Sequence, residues 1–275
     1  MKKAILYLCI LATLLRALCS CATPNLKDSS STSISSILTI VTEQGKENSG
    51  TDMPLEAINQ GLSAKNIIDD IIFLGESTTY HLKSRGVLSD GKETKQVWAP
   101  KSGTLMLDMT ICDCRIIYPE SNEEISLQDA LKLKQPKIIM LTFGLNGATS
   151  FISRGENYFK LCYEKLLNLI KECSPSTKIV INSCFPVASS MDMSRYTIDA
   201  KQLNSYIRTL NLWTVQIASN NGAWFTDSAS VLSDNDGFLK ANLHTEDGYH
   251  LNSEAYTLLL SYWEKELKIL QAKEN

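Results

Sequence analysis

Positive charge is in short supply in this chain. Its 27 Lys and Arg are outnumbered by 30 Asp and Glu, for a net charge of −3. A nucleic-acid-binding domain needs a basic face, so nucleic acid is not an expected partner. A long hydrophobic run is also missing. The apolar stretch near the N-terminus, AILYLCILATLL, has 12 residues, short of the roughly 20 a spanning helix requires. Histidine is scarce, with only His81, His244 and His250 as imidazole bases. Cys112-x-Cys114 has no second ligand pair at a suitable spacing, so it is not read as a zinc site, and neither metal nor cofactor is expected. Cys112, Cys114, Cys162, Cys173 and Cys184 make an odd set in the body of the chain, so at least one is free unless it pairs between chains. Cys162 and Cys173 fall on one helical segment, about 16 Å apart at 1.5 Å per residue. Bridged Cα atoms lie within about 7 Å. Mostly buried, reduced cysteines are expected. No internal repeat is present.

What is there is enough for one sizeable domain with an N-terminal extension: 275 residues, 44% hydrophobic and 21% charged. Residues 1–21 read as an export signal, with Lys2 and Lys3 ahead of the apolar run and Arg16 interrupting it. The following Leu18-Cys19-Ser20-Cys21 resembles the lipobox of bacterial lipoproteins, which implies lipidation of Cys21. One acyl chain anchors weakly, and the resemblance implies a multiply acylated cysteine that overcomes this. Residues 22–65, with KDSSSTSISS and EQGKENSGTD, cannot bury a core and read as a polar tether. Residues 66–275 form the folded domain.

From Asn66 onward strands alternate with helices. IIDDIIFLG reads as a strand and STTYHLKSRG as a short helix closed by Gly86. QVWAP and GTLMLDMT read as short strands around a loop. SLQDALKLK is helical up to Pro136, and KIIMLTFG is a continuous apolar strand. ENYFKLCYEKLLNLIKEC carries Phe159, Tyr163, Leu166, Leu167 and Ile170 on one helical stripe. TKIVINSCF and AWFTD are strands on either side of a helix from about Arg195 to Asn220. The last helix starts after Asn252 or Ser253. This alternation predicts an α/β fold, a parallel sheet with helices on both faces, whose chemistry collects beyond the carboxyl ends of the strands.

Three segments reach that edge. Ser77 follows Gly75-Glu76 at the end of the first strand and begins a helix, where amide N–H groups are open. Helix capping is what serine ordinarily does there, and a hydroxyl becomes a nucleophile only beside a base. His250 lies in EDGYHLN with Asp247 three residues ahead, a spacing that lets the carboxylate curl back onto the imidazole and fix its tautomer. His81, one turn into the helix after Ser77, and His244 read as structural or exposed. LTFGLNGA ends the strand from Lys137 and offers the Asn146 side-chain amide, a donor worth roughly 3–4 kcal/mol when aimed at a developing oxyanion. Gly103, in KSGTL, is a candidate backbone donor; Gly86 and Gly91 also follow the first segment.

Together these segments resemble the SGNH hydrolases, or GDSL esterases. The first block of that family normally reads Gly-Asp-Ser and here reads Gly75-Glu76-Ser77. The asparagine block normally reads Gly-x-Asn-Asp and here reads Gly144-Leu145-Asn146-Gly147. The last block, Asp-x-x-His, is met by Asp247 to His250. The resemblance implies a three-layer α/β/α sandwich of flavodoxin-like type. It implies Ser77 as nucleophile, His250 as base and Asp247 as orienting acid. An oxyanion hole would be formed by the Ser77 and Gly103 amides and Asn146. Glu76 keeps the charge of the usual aspartate but moves its hydrogen bonds outward, and Gly147 removes a support of the Asn146 loop.

The expected protein is a serine esterase anchored outside the cytoplasm of a bacterium by lipidated Cys21. It acts through an acyl-serine on a small-molecule or polysaccharide ester, such as an O-acetyl group. Its rivals are a lysophospholipase, short-chain lipase or acyltransferase using the same site, and a non-catalytic glycan-binding lipoprotein on the same fold.

Overall fold

The computed structural model describes residues 66–274. The signal, lipobox and tether of the preceding reading lie outside the described residues. Ile71–Gly75 (β1), Ile138–Thr142 (β5) and Lys178–Asn182 (β6) are the three apolar runs recognised in the sequence. With Val97–Trp98 (β2) and Trp224–Thr226 (β7) they form a parallel sheet in the order β2-β1-β5-β6-β7. Residues alternate across it. Ile72, Leu74, Ile139, Leu141, Ile179 and Ile181 enter one core, while Ile71, Phe73, Met140 and Val180 enter the other.

The first face is covered mainly by α4 (Glu156–Cys173) and α5 (Ala200–Asn221), with α2 (Leu127–Lys134) and α3 (Ala148–Arg154) beside them. Phe159, Tyr163 and Leu166 of α4 are fully buried there, on the stripe expected from their spacing. The second face is covered by α1 (Ser77–Ser84), α6 (Ser228–Leu232) and α7 (Ser253–Glu274). The result is the three-layer α/β/α sandwich. All five cysteines among the described residues are free thiols; Cys162, Cys173 and Cys184 are buried, while Cys112 and Cys114 are half-buried.

Several boundaries differ from the sequence reading. Ile67–Asp70 is a 3-10 turn, because the Asn66 side chain accepts the Ile68 amide and turns the chain before β1 begins. The helix expected from Arg195 begins at Ala200, where Asp199 accepts the Gln202 amide and starts it. Asn252 performs the same task for α7 through the Ala255 amide. Residues 104–110 are not a strand. The hairpin β3 (Arg115–Tyr118) with β4 (Glu123–Ser126), and the short helices α3 and α6, were not anticipated.

Strand order places the site. From β1 the chain goes to one side for β2, then to the other for β5, β6 and β7. Connections therefore diverge between β1 and β5, the switch point at which open α/β sheets form a crevice beyond their carboxyl ends. Gly75 of β1 pairs with Thr142 of β5. Just past these residues stand Ser77 and Asn146.

Candidate active site

Gly75 is fixed by packing. A Cβ there would fall 2.3 Å from Thr79 Oγ1 and 2.4 Å from Thr142 O. Only a residue without a side chain lets α1 start this close to the sheet. Glu76 is the N-cap, and its carbonyl accepts the amides of Thr79 and Tyr80. Among the described residues the amides of Ser77 and Thr78 have no acceptor. The helix thus presents two open N–H groups and the positive end of its dipole beside the Ser77 hydroxyl.

The Ser77 Oγ lies 3.0 Å from His250 Nε2, across 173 residues of sequence. On the far side of the ring, His250 Nδ1 lies 2.7 Å from Asp247 Oδ2. The other oxygen, Oδ1, accepts the Tyr249 and His250 amides at 3.1 and 2.9 Å and the Thr245 hydroxyl at 3.0 Å. Burial alone would raise the pKa of Asp247, but these donors outweigh it and hold the group at about 2. An ionised Asp247 keeps the proton on Nδ1, which leaves Nε2 as the lone-pair acceptor facing the serine. The three residues named from the sequence are brought together as a connected chain.

Asn146 also reaches the site. Its side-chain amide donates to Thr104 Oγ1 at 3.1 Å, which leaves its second N–H uncommitted. Gly103 is placed differently from its expected role. Its amide donates to Pro100 O at 2.9 Å, closing a turn with Gly103 at φ +77°, so this N–H is spent inside the turn. Thr104, the next residue, is the one that touches Asn146.

Glu76 points away from its own helix and makes no side-chain cap. It reaches under the β5 exit instead. Oε1 accepts the Gly144 amide at 2.9 Å, and both carboxylate oxygens accept the Asn146 amide at 3.1 Å. Burial raises the pKa to about 7, against the lowering effect of the Gly144, Asn146 and Leu145 amides.

Two rings flank His250. Tyr249 lies at a centroid distance of 4.0 Å and His81 at 4.5 Å. His81, read from the sequence as structural or exposed, borders the site. Burial, then the proximity of His250 and Arg85, lowers its pKa to about 4, so it is neutral at physiological pH. The i, i+4 spacing from Ser77 was the available signal, because such pairs share a helix face. His244 instead contacts Thr245 O through Nδ1 at 2.6 Å and lies outside the Ser77–His250–Asp247 chain.

The model of the GDSL-like Lipase/Acylhydrolase family matches residues 118–258, a span that holds Asn146, Asp247 and His250 and begins after Ser77 and Gly103. Among solved structures, a protein from Streptococcus pneumonia provisionally named a platelet activating factor aligns at 19% identity and a TM-score of 0.51. The alignment covers 75% of this chain and 86% of that one. A GDSL-like lipase from Bacteroides thetaiotaomicron aligns at 18% identity and a TM-score of 0.40, over 52% of this chain and 71% of that one. No curated protein matches the chain. The Streptococcus structure shows the shared fold. The family match spans just over half of the 275 residues and includes two of the three linked side chains, so this chain belongs to the GDSL-like lipase/acylhydrolase family of hydrolases.

Proposed function

We propose that the chain hydrolyses carboxylic esters through an acyl-Ser77 intermediate. The observation that carries this reading is the unbroken contact from Ser77 Oγ to His250 Nε2 and from His250 Nδ1 to Asp247. As Oγ attacks the ester carbonyl, its proton passes to Nε2, and Asp247 stabilises the imidazolium. The carbonyl oxygen becomes an oxyanion. The open Ser77 amide and the free N–H of Asn146 are suited to receive it. Gly103 would join them only by releasing Pro100 O. Collapse of the tetrahedral intermediate breaks the C–O bond, and His250 returns its proton to the departing alcohol. Water, deprotonated by His250, then attacks the acyl-serine and releases the acid.

A short acyl group is favoured by the space beside Asn146. A cavity of about 180 Å³ is lined there by Leu145, Gly147, Met191, Tyr196 and Tyr249, among others. Since about 150 Å³ holds a benzene ring, it accommodates an acetyl or butyryl group. An O-acetyl group on a polysaccharide fits this space. The lipobox-like Cys21 supports a place outside the cytoplasm on a bacterial membrane, with the substrate met there. Palmitate labelling should disappear in Cys21→Ala; label that persists would remove the anchor from the reading.

The test of chemistry is a fluorophosphonate probe together with p-nitrophenyl acetate, butyrate and octanoate. Ser77 should be labelled, Ser77→Ala should abolish both labelling and turnover, and octanoate should be the slowest ester. A native protein that takes no label and cleaves none of these esters would favour the glycan-binding alternative. Fast octanoate cleavage would favour a lipase.

A further inference from the structure

We propose that Glu76 is a positioning residue of the esterase site, whose carboxylate holds the Asn146 loop in register with Ser77. This rests on the reading of Asn146 as an oxyanion donor. An acid at a helix N-cap ordinarily spends its side chain on the first-turn amides. Glu76 does not. Its main chain is tied to the end of β5 through its amide and Thr142 O, and its side chain collects the Gly144 and Asn146 amides just beyond. One residue thereby links the start of the Ser77 helix to the loop that supplies the amide donor. From the other side, Thr104 holds the Asn146 side chain. Gly147, where the family has an aspartate, contributes no side chain to this support.

The charge on Glu76 matters because no cation among the described residues pairs with it. The titratable groups that feel it are Tyr163 on α4 and Cys184 just after β6. Both are driven well above their ordinary range first by burial, with Glu76 adding next at Cys184 and, after Cys184 itself, at Tyr163, and so both remain neutral. The Asn146 amide is shared between the two carboxylate oxygens. Protonation turns one of them into a donor and takes half of that acceptor away. Because burial brings the group to about 7, the loop is held most firmly above neutral pH. Loss of the Glu76 proton therefore contributes a step near pH 7 to the rise of kcat with pH.

Glu76→Gln should lower kcat roughly tenfold, less than the ~10²–10³ cost of deleting an oxyanion donor, with little change in KM and loss of the Glu76 step from the pH profile. Glu76→Asp, which restores the charge, should recover most of kcat and the pH-dependent step. Equal profiles for wild type and Glu76→Gln would overturn the proposal. So would a loss that Glu76→Asp does not repair while the pH profile stays unchanged. A readout independent of turnover separates this from failure of the esterase reading itself. In the Ser77→Ala protein, the Asn146 side-chain ¹⁵N–¹H signals should titrate near pH 7 and lose that step when Glu76→Gln is added. Signals that ignore both pH and the substitution would refute the positioning role, whether or not any ester is cleaved.

Discussion

Gly248 sits inside the turn that carries Asp247 and His250, and replacing it with alanine tests whether that turn is held by close packing. Its φ is +78°, a region that costs an L-residue about 1–2 kcal/mol. An added Cβ would lie 2.8 Å from Met191 Cα and 3.0 Å from Met191 N. These are backbone atoms, so no rotamer change relieves the contact. Overpacking of this kind costs about 1–3 kcal/mol. Restricting the unfolded chain returns about 0.4–1 kcal/mol. The net expectation for Gly248→Ala is a loss of about 2–4 kcal/mol, or a fall in Tm of roughly 5–15 °C for a domain of this size.

The same change should reach the chemistry. The Ala188 amide donates to Gly248 O at 2.7 Å, so the segment after β6 leans on this turn. Asp247 Oδ1 in turn orders the amides of residues 249 and 250. Pushing Met191 away shifts the imbedded His250 relative to Ser77, and a displacement near 1 Å can cost about 100-fold in rate. Calorimetry and ester kinetics on Gly248→Ala and Gly248→Asn divide the two causes. Asparagine tolerates positive φ but still carries a Cβ, so it should recover only the smaller, conformational part. An alanine variant that melts within about 2 °C of wild type and keeps its kcat would show that the turn is not packed as described.

Asp247→Asn should reduce kcat by roughly 10²–10⁴ with only modest change in KM, since an amide facing Nδ1 favours the tautomer that cannot accept the serine proton; unchanged kcat would remove Asp247 from the mechanism. Glu76 gives a stability prediction of opposite sign to the usual carboxylate. Its pKa is about 7 folded against 4.5 ordinarily, so its contribution is fully present below the unfolded value and is lost as pH rises to about 7. This amounts to about 3 kcal/mol. Urea unfolding between pH 4 and 8.5 should therefore show Glu76→Gln gaining on wild type as pH rises, and parallel curves would contradict the buried, unpaired carboxylate.

The sheet was legible because its central strands are buried on both faces. IIFL, IIML and IVI are continuous apolar runs with no alternation to confuse them. The long helices were legible through their stripes. The edge of the domain was not. Leu105 and Leu107 are buried at alternate positions, like a half-buried strand, yet between them and β1 the observed hydrogen bond is a single one from the Leu105 amide to Gly75 O. The β3–β4 hairpin escaped because Ile116 is the one buried residue in its two strands, which leaves little periodicity to read. The true role of the Gly103 amide was available in the sequence. Pro100-Lys101-Ser102-Gly103 has glycine at the last position of a β-turn, whose amide closes back onto the first carbonyl.

The two departures from the family pattern answer one another in space. A side chain at position 147 is not needed to hold Asn146 if the loop is tied from beneath, and the Glu76 carboxylate accepts the Gly144 and Asn146 amides from the start of α1. Gly147, freed of that task, adopts φ +92° and opens α3. Read one block at a time, each substitution looks like damage to a motif. Read across the β1–β5 switch point, they exchange a support on one side of Asn146 for a support on the other. Glu76→Gln and Gly147→Asp are therefore expected to be non-additive, since residues that share one partner couple in double-mutant cycles. Additive effects on kcat would show that the two positions act on Asn146 separately.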